Sequence, residues 1–331
     1  MSAHHKGWAL VATVFGIVAA CAASLMLGGR PTSPDALLAW FTGATDPYLG
    51  AVFDARSDRT VLGVLCGSAL AVSGQLVQGI TRNPLGDPGL LGITVGAGTA
   101  LVTVATMTGT AVATGPASVW IAFVGGAAAA VVVLSIGTGV GSRGIVRLVL
   151  TGAVVSAVLT AWRQALVLAN PSVFDSFRHW VVGALSGRDA SVAIMVAPTI
   201  ILGLLATYLL GPALDALALG DDVATSLGTR VPFVRAGGIL VATLLAASAT
   251  AAAGPIAFVG LVVPHLTRTL VGHGHRSQMP LAAVLGATLL VSADTLGRVV
   301  ARPGDVMVGI VTAVVGAPFL LVAVRKGVVA P

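Results

Sequence analysis

The sequence has no glutamate, so its 12 acidic residues are all aspartate. The helical zinc-protease motif H-E-x-x-H needs a glutamate, and that class of enzyme is therefore excluded. Lysine is nearly as scarce, occurring as Lys6 and Lys326. Neither lysine stands in the context G-x-x-x-x-G-K-[ST] that cradles nucleotide phosphates. The chain itself is therefore not expected to be a P-loop ATPase.

Cysteine and histidine are also few, with two and six residues respectively. Cys21 and Cys66 each lie in an apolar run, and their spacing supports neither a metal site nor a disulfide. His273 and His275 are typical of a solvated loop, and Ser186 lacks the G-x-S-x-G context of a nucleophile. We therefore expect no catalytic residues, no metal site and no cofactor bound by this chain, which is not predicted to be an enzyme.

Charged residues of any kind make up only 9% of the 331 residues, against 56% hydrophobic residues. A soluble domain carries about 25% charged residues, so a lipid environment is the simplest explanation. Although the pI is near 10.3, the cations are scattered without a basic stripe, which excludes nucleic acid as a partner. The composition predicts an all-α polytopic membrane protein forming one domain over residues 1–331.

The uncharged intervals between charged residues predict about ten transmembrane helices, because each needs ~20 apolar residues. The longest intervals split at turn-forming sequences, at residues 108–118 and at Ala253-Gly254-Pro255. Residues 170–189 are predicted to be an extracytoplasmic loop. The predicted spans cover residues 7–29, 60–81, 88–107, 119–142, 148–169, 190–214, 236–253, 254–267, 279–297 and 306–324.

An even number of spans places both termini on one side of the membrane. If that side is the cytoplasm, ten of the 18 cations lie inside, which favours this orientation by the positive-inside rule. Ion-coupled carriers place ionisable groups within the membrane, and the candidates Arg163 and Asp294 both fall near a predicted outer boundary. An ion-coupled secondary transporter of a small solute is therefore the alternative rather than the main interpretation.

Three polar stretches interrupt the apolar pattern. The first, QGITRNPLGDPGLLG at residues 78–92, is predicted to be a compact turn in which Asp87 caps the following helix. It is either a plain tight loop or a fixed backbone feature at a pathway gate. Its candidate gate residues are Asn83, Pro84, Asp87, Pro88 and Gly89.

The second stretch, GPALDALALGDDVATSLGTR at residues 211–230, is predicted to form two short helices joined at Gly220, with Asp221 or Asp222 as N-cap. A helix lying on lipid headgroups is usually rich in Lys and Arg. This segment is acidic, which favours contact with a protein partner.

The third stretch, residues 253–276, is interrupted by Gly254-Pro255 and by Pro264. Broken membrane helices usually line protein or water-filled cavities, because the freed backbone groups need partners. Gly254, Pro255, Pro264 and His265 are therefore added to the candidate gate residues.

Several long motifs, in this order, resemble the permease subunits of ABC importers for iron-siderophores, haem and vitamin B12. They are SGQLVQGITRNPLGDPGLLGITVGAG, LALGDDVATSLGTRV, GPIAFVGLVVPHLTR, ADTLGR and VGIVTAVVGAPFLL. The resemblance extends from about residue 56 to 325. It implies ten helices, both termini in the cytoplasm, and a multi-pass location in the bacterial cytoplasmic (inner) membrane.

The resemblance also implies partners. These are a second permease subunit in a homo- or heterodimer, two ABC ATPase subunits that bind ATP and Mg, an extracytoplasmic substrate-binding protein, membrane lipid and a metal-chelate substrate. A ferric siderophore is the expected cargo, with haem or cobalamin as alternatives. Residues 213–228 would form the cytoplasmic coupling helices against the ATPase, with Asp215, Leu217, Leu219, Gly220, Asp221, Asp222 and Ala224 as the coupling residues.

By the same resemblance, Arg56 and Arg59 before the second span and Arg298 after the ninth would dock the binding protein. The spacing of Arg56 and Arg59 places both on one face of a helix. Asp54 and Asp58 flank them and are expected to neutralise them in part. Snorkelling at the headgroup boundary is the alternative role for all three arginines.

Overall fold

A computed structural model describes residues 3–29, 31–110, 115–137 and 142–325 of the chain. Within these ranges the chain is helical, with no strand. The helices are α1 (Ala3–Met26), α2 (Pro34–Phe41), α3 (Pro47–Thr81), a 3-10 turn (Pro88–Leu91), α4 (Ile93–Thr108), α5 (Pro116–Gly137), α6 (Ser142–Ala169), α7 (Pro171–Trp180), α8 (Ala190–Ala218), α9 (Asp221–Ser226), α10 (Val231–Ala253), α11 (Val259–Val271), α12 (His275–Val300) and α13 (Val308–Arg325).

Six of these helices have the length and apolar composition to cross a membrane, namely α3, α5, α6, α8, α10 and α12. Shorter apolar helices occupy Leu10–Met26, Ile93–Thr108, Val259–Val271 and Val308–Phe319. This confirms the all-α polytopic fold class. The count of ten membrane crossings stays a prediction, because these four apolar segments fall short of the usual spanning length.

Helix α3 forms the centre of the bundle and packs against α8, α10, α11 and α12. Its glycines set the closest approaches, because a Cβ at Gly67 would collide with the Gly286 carbonyl, and one at Gly74 with the Gly260 carbonyl. Small residues at such crossings let membrane helices come into backbone contact. The most deeply buried side chains therefore surround α3, and α6 lies at the periphery with most of its surface exposed.

The prediction that the second span begins at residue 60 is wrong. Helix α3 begins at Pro47, where the Asp46 carboxylate accepts the N–H groups of Tyr48 and Leu49 as an N-cap. Arg56 and Arg59, which mark the predicted boundary, lie inside the helix. Likewise the ninth span extends beyond residues 279–297 to His275–Val300, so Arg298 lies within α12 and not after it.

The predicted loop at residues 170–189 contains a helix, α7, that the apolar-run count missed. Its buried face consists of Val173, Phe177 and Trp180, spaced three or four residues apart. The rings of Phe177 and Trp180 stack with centroids 5.9 Å apart, and the Arg163 guanidinium lies 5.2 Å from the Phe177 centroid. Arg163, one of the two candidates for ion coupling, thus holds α7 against α6 through a cation–π contact.

The predicted break at residues 108–118 is confirmed by the end of α4 at Thr108 and the start of α5 at Pro116. Residues 111–114 of that break lie outside the described residues, as do Met1, Arg30, residues 138–141 and residues 326–331 with Lys326. The predicted location of both termini is therefore not tested by the fold.

Candidate functional site: the α8–α9 elbow, the α10–α11 break and the buried arginines

The polar segment between α8 and α10 forms a bend, which we call the elbow (residues 215–228). Helix α8 continues through Pro212 to Ala218, and α9 follows after Gly220, whose φ of 115° is accessible essentially to glycine alone. The prediction of two separate short helices over residues 213–228 is therefore wrong for the first of them. Apolar packing of Leu214 and Leu217 keeps α8 continuous to this point.

The capping prediction in the elbow is also wrong. The N-cap of α9 is Gly220, and Asp221 and Asp222 both occupy its first turn. Asp221 instead pairs with Arg82 at the end of α3 and with Arg235 of α10, the latter at 2.9 Å. These ion pairs hold α9 against α3 and α10. The helix dipole also favours a carboxylate at the N-terminus of α9.

The predicted coupling residues divide into an inward and an outward set. Leu217 and Ala224 are fully buried, and Asp215 accepts a 2.9 Å hydrogen bond from the backbone N–H of His275. Leu219 is 64% exposed, and Asp222 is exposed as well. The surface that α9 presents is therefore mixed apolar and acidic. It is completed by Val223 and Leu227, which are also exposed.

The turn after α3 has the compact geometry that its sequence predicts. The Asn83 side-chain oxygen accepts the Leu85 N–H at 2.9 Å, and Asp87 caps the 3-10 turn by accepting the Gly89 N–H at 2.7 Å. Pro84 lies within the turn that the first bond closes, and Pro88 is buried. Burial raises the pKa of the Asp87 carboxyl, and the hydrogen bond from Gly89 opposes that rise.

The break at Gly254-Pro255 is confirmed, since α10 ends at Ala253 and Gly254 adopts a φ of 77°. The loop between α7 and α8 fills the gap, with the Ala184 N–H donating to the Ala253 carbonyl at 2.8 Å. The segment ends at Phe258, a non-glycine residue with a left-handed φ of 70°. Such backbone strain persists only where surrounding packing imposes it.

The prediction that Pro264 interrupts the chain is wrong, because Pro264 lies inside α11 without ending it. The carbonyl that proline leaves without its helical partner belongs to Gly260, four residues earlier. Gln78 of α3 donates its side-chain amide to that oxygen at 3.2 Å. His265, the next residue, is half-buried and meets the Phe319 ring edge-on at 5.9 Å between centroids.

The three predicted docking arginines lie largely inside the bundle. Arg59 grips Asp294, with Nε 2.8 and 2.9 Å from the two carboxylate oxygens, and also pairs with Asp305 at 2.9 Å. Arg298 reaches the same Asp294 at 3.1 Å. Asp294 and Asp305, rather than Asp54 and Asp58, are therefore the counter-ions of Arg59. Asp54 accepts the Trp40 indole N–H at 3.0 Å.

Arg56 and Arg298 also cap the end of α1. Arg56 Nη1 donates to the carbonyl of Leu25 at 2.7 Å, and Arg298 Nη1 to that of Ser24 at 3.0 Å. Carbonyls in the last turn of a helix lack helical partners, so a cation there meets both an unpaired acceptor and the negative end of the dipole. Arg56 and Arg298 are 8% and 5% exposed. Their docking role stays a prediction, and only Arg59 with Asp305 reaches the surface appreciably.

Among the residues that the structure describes, no group of three His, Cys, Asp or Glu side chains could hold a metal ion. The partners that sequence reasoning missed are Arg82 and Arg235 for Asp221, His275 for Asp215, and Gln78 for Gly260. Gln75 and Gln78 carried a usable signal, since amide side chains in an apolar span must find partners.

Comparison with known proteins places the chain in a family. Residues 16–326 match the FecCD transport family. Over 313 residues the chain is 40% identical to the ferric enterobactin transport system permease protein FepD of Escherichia coli (strain K12), covering 94% of this chain and 92% of that protein. It is 38% identical over 323 residues to the Fe(3+) dicitrate transport system permease protein FecD of the same organism, covering 96% and 99%. Over 289 residues it is 35% identical to the hemin transport system permease protein HmuU of Yersinia pestis, covering 85% of each chain.

The fold has solved counterparts as well. An inward-facing metal-chelate type ABC transporter superposes with a TM-score of 0.82 at 25% identity, covering 97% of this chain and 99% of that one. The PsaBC protein of Streptococcus pneumoniae shares the fold with a TM-score of 0.59 at 18% identity, covering 87% of this chain and 95% of that one. The similarity thus spans the bundle, the elbow and the break between α10 and α11, and the chain belongs to the FecCD transport family.

Proposed function

We propose that this chain is the membrane-spanning permease subunit of an ATP-driven importer for a ferric siderophore or a related metal chelate, and that a separate ATPase drives it. The observation that carries the proposal is the elbow. A bend fastened to α3 and α10 through Asp221 presents Leu219, Asp222 and Val223 to the outside of the bundle. A fixed surface of mixed apolar and acidic residues suits a cleft in a soluble partner, whereas a helix lying on lipid headgroups would be basic.

The ATP-hydrolysing machinery is assigned to two partner subunits, which would bind ATP and Mg. The sequence has no P-loop, so no phosphate-binding lysine is available in this chain. Force from the ATPase would enter at the elbow and reach the bundle through the Asp221 ion pairs and through α8, which is continuous from Ala190 to Ala218. The relatives are named as transport permeases, which agrees with a non-enzymatic subunit.

A second permease subunit is proposed to cover α6. An apolar stripe at four-residue intervals on α6 is left exposed, consisting of Val146, Leu150, Val154, Val158 and Trp162. Only 6% of the apolar 18-residue window in α6 is buried within one chain. A second copy or a sibling subunit would pack against this stripe, and the translocation pathway would lie between the two.

A substrate-binding protein is proposed to deliver the cargo to the outer face. Ferric siderophore is the proposed cargo because the siderophore and ferric-citrate permeases among the relatives cover nearly the whole chain; haem and cobalamin are the alternatives. We place the chain in the bacterial cytoplasmic membrane with both termini inside, so that the elbow faces the cytoplasm. Arg59 and Asp305 would then lie on the face that meets the binding protein.

An ion-coupled carrier is disfavoured by the pairing of its candidate groups. Asp294 is held between Arg59 and Arg298, and Arg163 lies against the Phe177 ring. A coupling site needs a group that can exchange its ion, and a carboxylate bound by two guanidinium groups is already neutralised.

An ATPase assay and co-purification test whether a separate subunit hydrolyses the ATP. We expect the chain alone to hydrolyse no ATP, and its co-expressed ATPase to bind the wild-type elbow but not a double variant Leu219→Asp and Val223→Asp. The exposed pair Leu38→Asp and Phe41→Asp on α2, which is not one of the membrane-crossing helices and lies away from the elbow, is the matched control. ATP hydrolysis by the isolated chain, or unchanged capture of the ATPase by the elbow variant, would refute the proposal.

A further inference from the structure

The proline in α11 creates a defect that α3 repairs. Proline has no N–H, and its ring pushes away the carbonyl four residues earlier, which here belongs to Gly260. Inside a membrane such an unpaired carbonyl costs several kcal/mol unless another group satisfies it. The Gln78 amide lies 3.2 Å from that oxygen and is 2% exposed, so water does not compete for the bond.

The surface of α3 is shaped for this carbonyl. Gly74 lies one helical turn before Gln78, on the same face of α3. A Cβ at Gly74 would collide with the Gly260 oxygen, so glycine provides the space into which the displaced carbonyl projects. The oxygen of the same Gln78 amide accepts a hydrogen bond from Arg268, one turn beyond Pro264. Gln78 thus spans the defect from the first turn of α11 to its last.

Two further glutamines extend the contact to α12. Gln75 donates to the side-chain oxygen of Gln278 and accepts from Thr267 of α11 at 3.2 Å. Gln278 in turn donates to the Gly272 carbonyl at the end of α11. We call Gln75, Gln78 and Gln278 the glutamine clamp. All three are at most 2% exposed.

The clamp is connected to the elbow through the first turn of α12. His275 lies three residues before Gln278, and both its backbone N–H and its ring Nδ1 lie within 2.9 Å of Asp215 in the elbow. On its other side the ring meets α3, since a Cβ at Gly79 would lie 2.9 Å from His275 Nε2. A displacement of the end of α8 therefore acts on the same turn of α12 that holds the clamp.

From these contacts we infer that α11 is a proline hinge controlled by the elbow. Gln78 is the positioning residue that supplies the helical hydrogen bond missing at Pro264. The elbow acts on the hinge through Asp215, His275 and the glutamine clamp. The inference rests on the proposed function, because it assigns the hinge to the transport cycle. A hinge requires that the Gly260 carbonyl bond to a donor on another helix. Such a hydrogen bond can break and re-form when α11 bends, whereas a hydrogen bond within α11 would resist bending.

A double-mutant cycle between Gln78 and Pro264 tests the repair. Gln78→Leu strands the Gly260 carbonyl and should lower the midpoint of thermal unfolding in detergent by about 3 °C. Pro264→Ala restores the helical N–H, so Gln78→Leu should cost less in that background, where only its bond with Arg268 is still lost. Pro280→Ala in α12 is the matched control, because it removes a helix proline that Gln78 does not serve. The Gln78→Leu cost should be unchanged there.

Uptake by the full complex tests the hinge. Pro264→Ala should keep ATP hydrolysis within about twofold of wild type and lower cargo uptake per ATP about tenfold, because the straightened α11 no longer bends. A purely structural proline would leave that ratio unchanged. Equal costs of Gln78→Leu in the wild-type and Pro264→Ala backgrounds would overturn the repair, and normal uptake per ATP by Pro264→Ala would overturn the hinge. Failure of the proposed function would show separately, as wild-type complex without ATP-driven uptake.

Discussion

The guanidinium group of Arg59 in α3 contacts both carboxylate oxygens of Asp294 in α12, with Nε at 2.8 and 2.9 Å, although the two residues are 235 positions apart in the sequence. Asp294 is 2% exposed and also pairs with Arg298, so one buried carboxylate lies between two guanidinium groups, and Asp305 gives Arg59 a second counter-ion. The ends of α1, α3 and α12 are joined at this point, because Arg56 and Arg298 bind the last carbonyls of α1.

Replacing Asp294 with alanine should destabilise the bundle strongly. The change leaves buried Arg298 without its carboxylate and Arg59 with Asp305 alone, at a cost of roughly 3–5 kcal/mol. Thermal unfolding in detergent measures the loss, and Asp58→Ala on the same helix as Arg59 is the control, with little change expected. An Asp294→Ala protein as stable as the Asp58→Ala protein would show that the arginines are not held by this carboxylate.

The docking role of the arginines can be separated from their structural role. Arg59→Gln should weaken binding of the substrate-binding protein and reduce the salt dependence of that binding, since charged rim contacts mainly steer association. Binding is measured by surface plasmon resonance below the unfolding temperature of every variant. Arg178→Gln, an exposed arginine on α7, is the control. If Arg59→Gln and Arg178→Gln bind the substrate-binding protein with the same affinity and the same salt dependence, the docking hypothesis is refuted.

The elbow should depend on Asp221 more than on Asp222. Asp221→Asn loosens the contacts of α9 with Arg82 and Arg235, which are half-exposed and contribute only about 0.2–1 kcal/mol each to stability. We therefore expect nearly unchanged thermal unfolding together with a lower ratio of uptake to ATP hydrolysis. Asp222→Asn, exposed and on the same turn, is the control, and an equal effect of the two variants would show that the ion pairs do not matter.

Gly220 should be the least replaceable residue of the elbow. At its φ of 115° and ψ of 154° a side chain is strained by about 1–3 kcal/mol. Gly220→Ala should therefore uncouple ATP hydrolysis from uptake, and Gly237→Ala, where a Cβ meets no atom within 4 Å, is the control. Normal coupling in Gly220→Ala would show that the bend is not needed.

Asp87 gives a pH-dependent prediction. Because burial raises its folded pKa above the unfolded value of about 3.9, the folded state binds the proton more tightly, and ionisation at higher pH costs stability. Asp87→Asn keeps the cap on Gly89 without the charge. Its stability advantage over the wild type should be largest at neutral pH and shrink as pH falls through the raised pKa. A difference in unfolding midpoint that does not change with pH would contradict this account, and Asp87→Ala, which loses the cap, should be less stable by about 0.5–2 kcal/mol.

Local sequence signals predicted those features that local chemistry decides. The Gly254-Pro255 break, the Asp87 cap and the apolar helices follow from residues close together in the chain. Charge used as a boundary marker failed at Arg59, because its counter-ions Asp294 and Asp305 are more than 200 residues away. A charged residue can lie within a membrane helix when an opposite charge from a distant part of the chain pairs with it.

Pro264 shows the same limit for helix breakers. Proline normally predicts an interruption, and the continuation of α11 depends on an amide from α3 that no local pattern around Pro264 reveals. The first coupling helix failed as a prediction for a related reason, since buried Leu214 and Leu217 continue α8 past Pro212. Tertiary partners overrode local propensity in each case.

ATP-driven uptake in proteoliposomes tests the central claim most directly. The chain, its ATPase subunits and the substrate-binding protein are reconstituted with ATP inside the vesicles, and a radiolabelled ferric siderophore, haem or cobalamin is offered outside with its binding protein. We expect uptake of one such chelate that requires ATP and persists when ion gradients are collapsed. Uptake driven by an ion gradient without ATP or ATPase subunits would contradict the account.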